Sequence, residues 1–517
     1  MARAEVFKHD VYETKLELTI VMLCSMAGTL MQALDSTIAN VALPYMQGSL
    51  AASRDQITWV LTSYIVAAAI MTAPVGWLAA RFGRKNLALV SIGGFTIFSM
   101  MCGAAQTLDQ MILFRLLQGA FGAALSPLSQ AIMLDLYPAE KRGSAMAIWG
   151  MGVMVGPILG PTLGGFLTDA YNWRWVFYVN LPFGLAAILG IWVFYKDTIR
   201  DAALKFDWLG FAFLGLALAG LQLMLDRGTD KNWFESNEII IEAILGALGA
   251  YLFVVQMVTS DKPFIPKALF KDRNFLISLL LMFTISMLLM ASSALLPPYL
   301  QNLGGYSVTE TGLLMSPRGL GNLVAMMLAG RLATRFDSRY VMLAGSAMLE
   351  WAMWQMSTWT PAVSATQMFV TTFIQGCGIG LVFVPMSLVA FVTLSPAYRT
   401  DASAVLNLLR NIGGAIGVSV TSTALANGIQ TAHARLAESV SSFNRALGVN
   451  GPSLMWNPQI PFGVAQFNGV IEQNAQVIAY ANVFLLMLLA GIPAVVSIFL
   501  MRKPRPLAAG EKLEVSE

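Results

Sequence analysis

The sequence predicts an all-α polytopic membrane protein of fourteen transmembrane helices. Three observations carry the prediction: too little charge for a water-facing surface, fourteen bilayer-length apolar segments, and an uneven division of Lys and Arg between alternate loops. Of 517 residues, 56% are hydrophobic and only 12% charged, and the mean hydropathy is +0.65. Soluble globular chains carry about 25% charged residues, so most of this chain has lipid for its solvent.

A helix crosses the hydrocarbon with about 20 apolar residues. Segments that meet this requirement run at 17–42, 57–80, 87–106, 110–134, 143–169, 174–195, 206–225, 238–258, 274–297, 311–334, 340–358, 365–391, 402–427 and 479–501. Short loops separate them, except for a long loop at 428–478. The first 16 residues are polar and the apolar run that follows is too long for a signal peptide, so the N-terminus is expected to stay in the cytoplasm. On that assumption 23 of the 32 Lys and Arg fall on the cytoplasmic side. Six face outward (Arg54, Arg174, Arg227, Lys231, Arg435 and Arg445), and Arg115, Arg318 and Arg410 lie inside spans. This is the bias that orients membrane proteins. It places both tails (1–16 and 502–517) in the cytoplasm and the 428–478 loop outside.

The chain repeats itself. Gly76-Trp-Leu-Ala-Ala-Arg81-Phe-Gly83-Arg84-Lys85 returns as Gly330-Arg331-Leu-Ala-Thr-Arg335-Phe-Asp-Ser-Arg339, 254 residues later. Leu136-Tyr-Pro138-Ala139 returns as Leu394-Ser-Pro396-Ala397 after 258. A nearly constant offset implies two six-helix halves, 17–195 and 274–501, flanking two inserted helices at 196–273. Parallel repeats with a midplane site between them are a transporter plan.

With these residues in view the chain resembles the major facilitator superfamily, in its fourteen-helix drug:proton antiporter branch. Gly76–Lys85 is similar to the family's gating loop, with Ala80 where many members have Asp. Phe114-Arg115-Leu-Leu-Gln118-Gly119 resembles its fourth-helix motif. Gly152, Gly156, Pro157, Gly160, Pro161, Gly164 and Gly165 resemble its fifth-helix antiporter motif, and Leu34-Asp35-Ser36-Thr37 through Pro44 its first-helix motif. Met224-Leu-Asp226-Arg227-Gly228, Asn232-Trp233-Phe234 and Ala437-Glu438-Ser439-Val440 are similar to EmrB-type efflux pumps. The resemblance implies a major facilitator fold in a bacterial inner membrane. It further implies proton-driven export of hydrophobic drug-like molecules without a cofactor, an EmrA-like periplasmic adaptor and a TolC-like outer-membrane channel. The alternative is a stand-alone exporter of a metabolite, fatty acid or siderophore.

Glycines four apart lie on one helix face and admit a close neighbour. The family reading puts that seam between the halves. Intramembrane charges cost about 2.5–3.5 kcal/mol on insertion scales, so each one needs a reason. Asp35 and Arg115 lie about 12 and 9 Å from the outer ends of their helices at 1.5 Å per residue. They can form a pair or share a cavity, as a proton site or as a permanent structural bond. Burial raises a carboxylate pKa and a nearby cation lowers it, so alternate exposure to the two sides would load and release a proton. Arg318, Asn407 and Arg410 join Gln118 as candidates for coupling or substrate binding, and a Glu350–Arg410 pair is one option. Arg81, Arg84, Lys85, Arg331 and Arg335 can bind lipid headgroups and latch the halves together.

Other classes find no support. The sequence has no HExxH, nucleophile elbow or GxxxxGK[ST], and nothing points to nucleic acid. Gly376-x-Gly378-x-Gly380 sits in an apolar helix as a packing seam. Cys24, Cys102 and Cys377 form no metal or disulfide pattern.

Overall fold

The computed structural model describes residues 15–137, 141–196, 205–229, 231–260, 263, 265–394, 398–438 and 461–502. Among them there is no strand. The long helices among the described residues are α1 (Lys15–Ser49), α2 (Trp59–Thr72 and Val75–Phe82, bent by 58°), α3 (Arg84–Ala104), α4 (Leu108–Leu136) and α5 (Arg142–Ala170). Then follow α6 (Trp175–Phe194), α7 (Trp208–Arg227), α8 (Asn237–Thr259), α9 (Arg273–Leu303) and α10 (Val308–Arg335). The last four are α11 (Ser338–Ser357), α12 (Ala365–Val392), α13 (Arg399–Ala437) and α14 (Pro461–Phe499). Ten are long and apolar enough to cross a membrane, or eleven with the bent α2. The remaining predicted spans are occupied by α5, α10 and α11. Arg318, Arg331 and Arg335 make α10 less apolar, as Arg339 and Glu350 do α11.

Lipid offers no hydrogen bonds, so the backbone must satisfy itself. Side chains close several helix starts: the hydroxyls of Thr107, Ser307 and Ser364 accept from the N–H groups of Gln110, Glu310 and Gln367. Gly83 ends α2 at a φ of +85°, a conformation open to glycine at little cost, and α3 starts at the next residue.

In the first half, α1 packs on α5, α2 on α4 and α3 on α4; in the second, α9 packs on α13, α10 on α12 and α11 on α12. The inserted α7 and α8 cross closely where Gly220 meets Gly246. Asp226 of α7 accepts from Thr62 of α2, and the Arg227 guanidinium lies 5.5 Å from the Trp59 ring centre. In the turn after α7, Trp233 Nε1 donates to Thr423 of α13 at 3.0 Å. The inserted pair thus touches both halves at one end of the bundle.

Two expectations are corrected. The 428–478 segment is not one loop: α13 runs to Ala437 and α14 begins at Pro461. Each has 39 residues, about 58 Å at 1.5 Å per residue, against a hydrocarbon core of about 30 Å. Both therefore extend beyond the membrane as a helical hairpin, joined by His433 and Asn468 at 3.0 Å. The polar, glycine-bearing stretches 428–438 and 461–478 lack the hydropathy of a span but keep helix-compatible residues. Ser439, Val440, Pro452, Trp456 and Pro458 lie outside the described residues, as do Pro138, Ala139, Pro396 and Ala397.

The second correction concerns the glycine face of α5. A Cβ at Gly156 would stand 2.6 Å from the Ala33 Cβ; one at Gly160 would strike Thr37, and one at Gly164 would be 2.8 Å from Ile38. Gly152 faces Met26. The seam therefore joins α5 to α1 inside the first half, not the two halves to each other. Spacing puts the glycines on one face without specifying what that face meets. Another part of α5 makes the inter-half contact: Gly143 approaches the Gly330 carbonyl and Gly150 approaches Met326, both on α10. The helix is continuous through Pro157 and Pro161, whose side chains are outside the described set.

Replacing Gly156 with Val should lower stability by about 1–3 kcal/mol through overpacking, seen as a drop in Tm in detergent. Gly165→Ala, where an added Cβ meets nothing within 4 Å, should leave Tm unchanged. Equal Tm values for the two variants would contradict the seam.

Candidate functional site: a buried ion pair and an inter-half latch

The first half holds a charged pair with no contact with solvent. Asp35 is 0% and Arg115 1% exposed. Arg115 Nη1 donates to Asp35 Oδ2 at 2.6 Å and to Gln118 Oε1 at 2.8 Å, while Nε donates to the Val60 carbonyl at 3.1 Å. Gln118 Nε2 donates to Asp35 Oδ1 at 2.9 Å, and Asn180 Nδ2 reaches the same oxygen at 3.4 Å. The Tyr64 ring centre lies 4.2 Å from the guanidinium carbon, which suits a cation over a π face.

Helical spacing explains the grouping. Arg115 and Gln118, three apart, share one face of α4, and Gly119 on the next position lets that face approach the Tyr64 carbonyl of α2. Asp35 enters from α1. Of the two sequence options, pair or shared cavity, the geometry is that of a direct pair. Removing two charges from water is expensive unless geometry and hydrogen bonds compensate. Here both carboxylate oxygens are engaged.

A second polar group joins the halves at the end of the bundle opposite the inserted-helix turn. Asp135 of α4 binds Arg84 of α3 and, at 2.5 Å, Arg399 of α13. Arg84 Nε donates to Thr400 at 3.0 Å. Gly76 lies so close to Asp401 that no side chain would fit. Further into the bundle, Ser403 donates to Gln130 at 2.5 Å and Ser126 to Asn407 at 3.0 Å. Sequence reasoning marked Gly76, Gly83, Arg84 and Asn407 but missed Asp135, Gln130, Thr400 and Asp401. The acidic Asp135, just before the repeated Leu136-x-Pro138-Ala139, was the available signal.

Other candidates fall elsewhere. Arg81 and Lys85 lie in the same region, half-buried; Arg331 and Arg335 are exposed at the end of α10. The Glu350–Arg410 pairing is not formed. Glu350 points to α14, where its carboxylate abuts Gly491, because its face of α11 turns away from α13. Arg410 instead lines a cavity between the halves with Gly150 and Val153 of α5, Ser286 and Leu289 of α9, and Phe383 of α12. Arg318 donates to Ser292 at 3.3 Å.

Arg115→Ala would strand the Asp35 charge and should destabilise the protein by about 3–5 kcal/mol. Adding Asp35→Asn should recover at least half of that loss, measured by thermal unfolding of each purified variant. Additive losses would contradict a coupled pair.

Comparison with known proteins places this geometry in a family. The model of the Major Facilitator Superfamily matches residues 25–418. The chain is 38% identical to the multidrug export protein EmrB of Escherichia coli (strain K12), over 83% of this chain and 84% of that one. It is 33% identical to the fatty acid resistance protein FarB of Neisseria gonorrhoeae, over 81% and 82%. Among solved structures, the human organic anion transporter MFSD10 superposes with a TM-score of 0.56 at 16% identity, covering 92% of this chain and 98% of that one; so low an identity speaks to fold alone. The matched family, the identity to its members and the helical architecture converge: this chain belongs to the Major Facilitator Superfamily and is a multi-pass membrane transporter.

Proposed function

We propose that the protein is a proton-coupled antiporter that exports apolar, drug-like compounds across a bacterial inner membrane by alternating access. The observation that carries this reading is the Asp35 carboxylate, fully buried yet held by only a cation and two amides. Protonating it removes the charge that Arg115 satisfies, so proton binding and the arrangement of α1, α2 and α4 are linked. A carboxylate whose environment changes with conformation changes its proton affinity, which is the requirement for coupling. No cofactor is needed.

Alternating access also needs two ends that open in turn. The Asp135–Arg399 and Arg84–Thr400 contacts close one end. With that end cytoplasmic, as the Lys and Arg distribution directs, this conformation is closed inward. Names of relatives supply the substrate class, multidrug export and fatty acid resistance. The projecting α13–α14 hairpin supports the tripartite reading, with an EmrA-like adaptor docked outside and a TolC-like channel beyond it. The stand-alone exporter is the alternative, and it would leave the hairpin without a partner.

Two experiments test this. In proteoliposomes, drug addition should release protons from the wild type, and Asp35→Asn should abolish the release while the protein still folds. Full proton-coupled transport by that variant would overturn the assignment. Replacing the segment between Ala437 and Pro461 by a short linker should abolish co-purification of a co-expressed adaptor; undiminished co-purification would remove the docking role.

A further inference from the structure

Helices α7 and α8 lie outside the repeat, so neither half needs them to build its own bundle. The residues that mark them, Met224–Gly228 and Asn232–Phe234, take no part in the buried ion pair or the latch. They gather in and beside the turn between α7 and α8, at the end of the bundle opposite Asp135. With the latch end cytoplasmic, as the Lys and Arg distribution directs, this turn sits at the outer mouth. There it meets α2 of the first half and α13 of the second.

The turn is held unevenly. On the α2 side, Asp226 accepts from the Thr62 hydroxyl, a charge-assisted bond. Arg227 lies over the Trp59 ring and is fixed there by Glu238 at 2.6 Å and Glu242 at 2.9 Å, both on α8. Further along α7, Gly215 lets the helix lie against α2, where an added Cβ would stand 3.4 Å from Ile70. On the α13 side, two neutral hydrogen bonds converge on one hydroxyl. Trp233 Nε1 donates to Thr423 at 3.0 Å, and the Thr229 and Thr423 hydroxyls bond at 3.1 Å. Neutral hydrogen bonds are weaker than charged ones, so α13 is the side that yields.

The backbone that carries the indole is strained. Asn232 and Trp233 stand in succession at φ of +56° and +53°. Asn tolerates this left-handed region, but a bulky residue enters it only where its surroundings over-determine it. Here the Trp233 N–H donates to the Gly228 carbonyl at 2.7 Å. The indole also packs so closely on Gly228 that an added Cβ would be 2.9 Å from the ring. Thr423 supplies the third constraint, and it belongs to the other half.

We infer that the α7–α8 turn is an outer strap. Anchored on α2, it holds the outer end of α13 through Thr423 while the outer mouth is closed, and it lets go of Thr423 when the mouth opens. This assignment rests on the alternating-access reading, in which opening outward moves the outer ends of the halves apart. The inserted pair then sets how readily the outer mouth opens. Trp233 is its positioning residue, with the strain of its backbone set against the hydrogen bonds that hold it. Removing either partner of the Trp233–Thr423 bond shifts the population toward the open mouth.

Two measurements test the strap in the full-length protein carrying Cys24→Ser, Cys102→Ser and Cys377→Ser. Nitroxides on Ser49→Cys of α1 and Asn427→Cys of α13, both exposed positions, report the separation of the outer ends by double electron–electron resonance in nanodiscs. Trp233→Phe and Thr423→Val each remove a hydrogen-bonding group with little change of volume. Losing a neutral hydrogen bond should raise the long-distance population relative to the short one by about 2- to 10-fold. In proteoliposomes, Thr229→Cys combined with Thr423→Cys should cross-link on oxidation with copper phenanthroline and lose drug-induced proton release. Reduction with dithiothreitol should restore it. Unchanged distance distributions in both variants, or full proton release by the cross-linked protein, overturns the strap. So does failure to cross-link, because the two side chains would then not meet. Absence of proton release from the reduced protein would sink the export reading, and the distances still decide the strap.

Discussion

A charge inside an apolar bundle has to be answered by other groups of the protein, and the Asp35–Arg115 pair shows how much structure that answer requires. Three helices bring the ions together, a fourth contributes Asn180, and a carbonyl and two amides occupy the remaining hydrogen-bonding sites. None of those groups could be water-exposed without weakening the pair, since the low dielectric both strengthens it and penalises its absence. Gly119, which lets α4 approach α2, belongs to the same requirement. So does the glycine seam between α5 and α1, which sets the position of the helix that carries Asp35.

The polar contacts between the halves are of a different kind. Asp135, Arg84 and Arg399 gather at the helix ends, with Thr400, Gln130 and Ser403 completing them. These side chains are buried too, but Asp135 answers two cations from different halves, whereas the Asp35–Arg115 pair lies within one. The two groups therefore differ in what they join: one ties helices of a single half, the other ties α3 and α4 to α13 across the halves. At the other end the inserted α7–α8 pair reaches α2 through Thr62 and α13 through Thr423, so it spans the same inter-half boundary from outside the repeat.

Sequence reasoning read the helices well because bilayer thickness imposes a length and an apolar composition that any span must satisfy. Every predicted span coincides with a helix of the described residues. Where it erred, at 428–478, the helices leave the membrane, and the hydropathy signal stops while the hydrogen-bonded backbone continues. The site was partly legible. Asp35 and Arg115 stood out because charge within an apolar run is rare and costly, and their similar depths pointed to one another. Asp135 drew no notice, since an acid near a span end carries no such penalty.

By itself the sequence determined the fold class, where the apolar helical segments run and the identity of the buried charges. These follow from local rules: periodicity, span length, and the price of charge in lipid. Only the tertiary structure decided which face met which. It turned the glycines of α5 toward α1, sent Glu350 to α14 instead of to Arg410, joined Asp135 to two arginines, and left Arg318 facing a serine. Each of those outcomes depends on helix rotation and crossing between segments remote in the chain. A residue's spacing specifies its face, and the partner of that face is settled by packing.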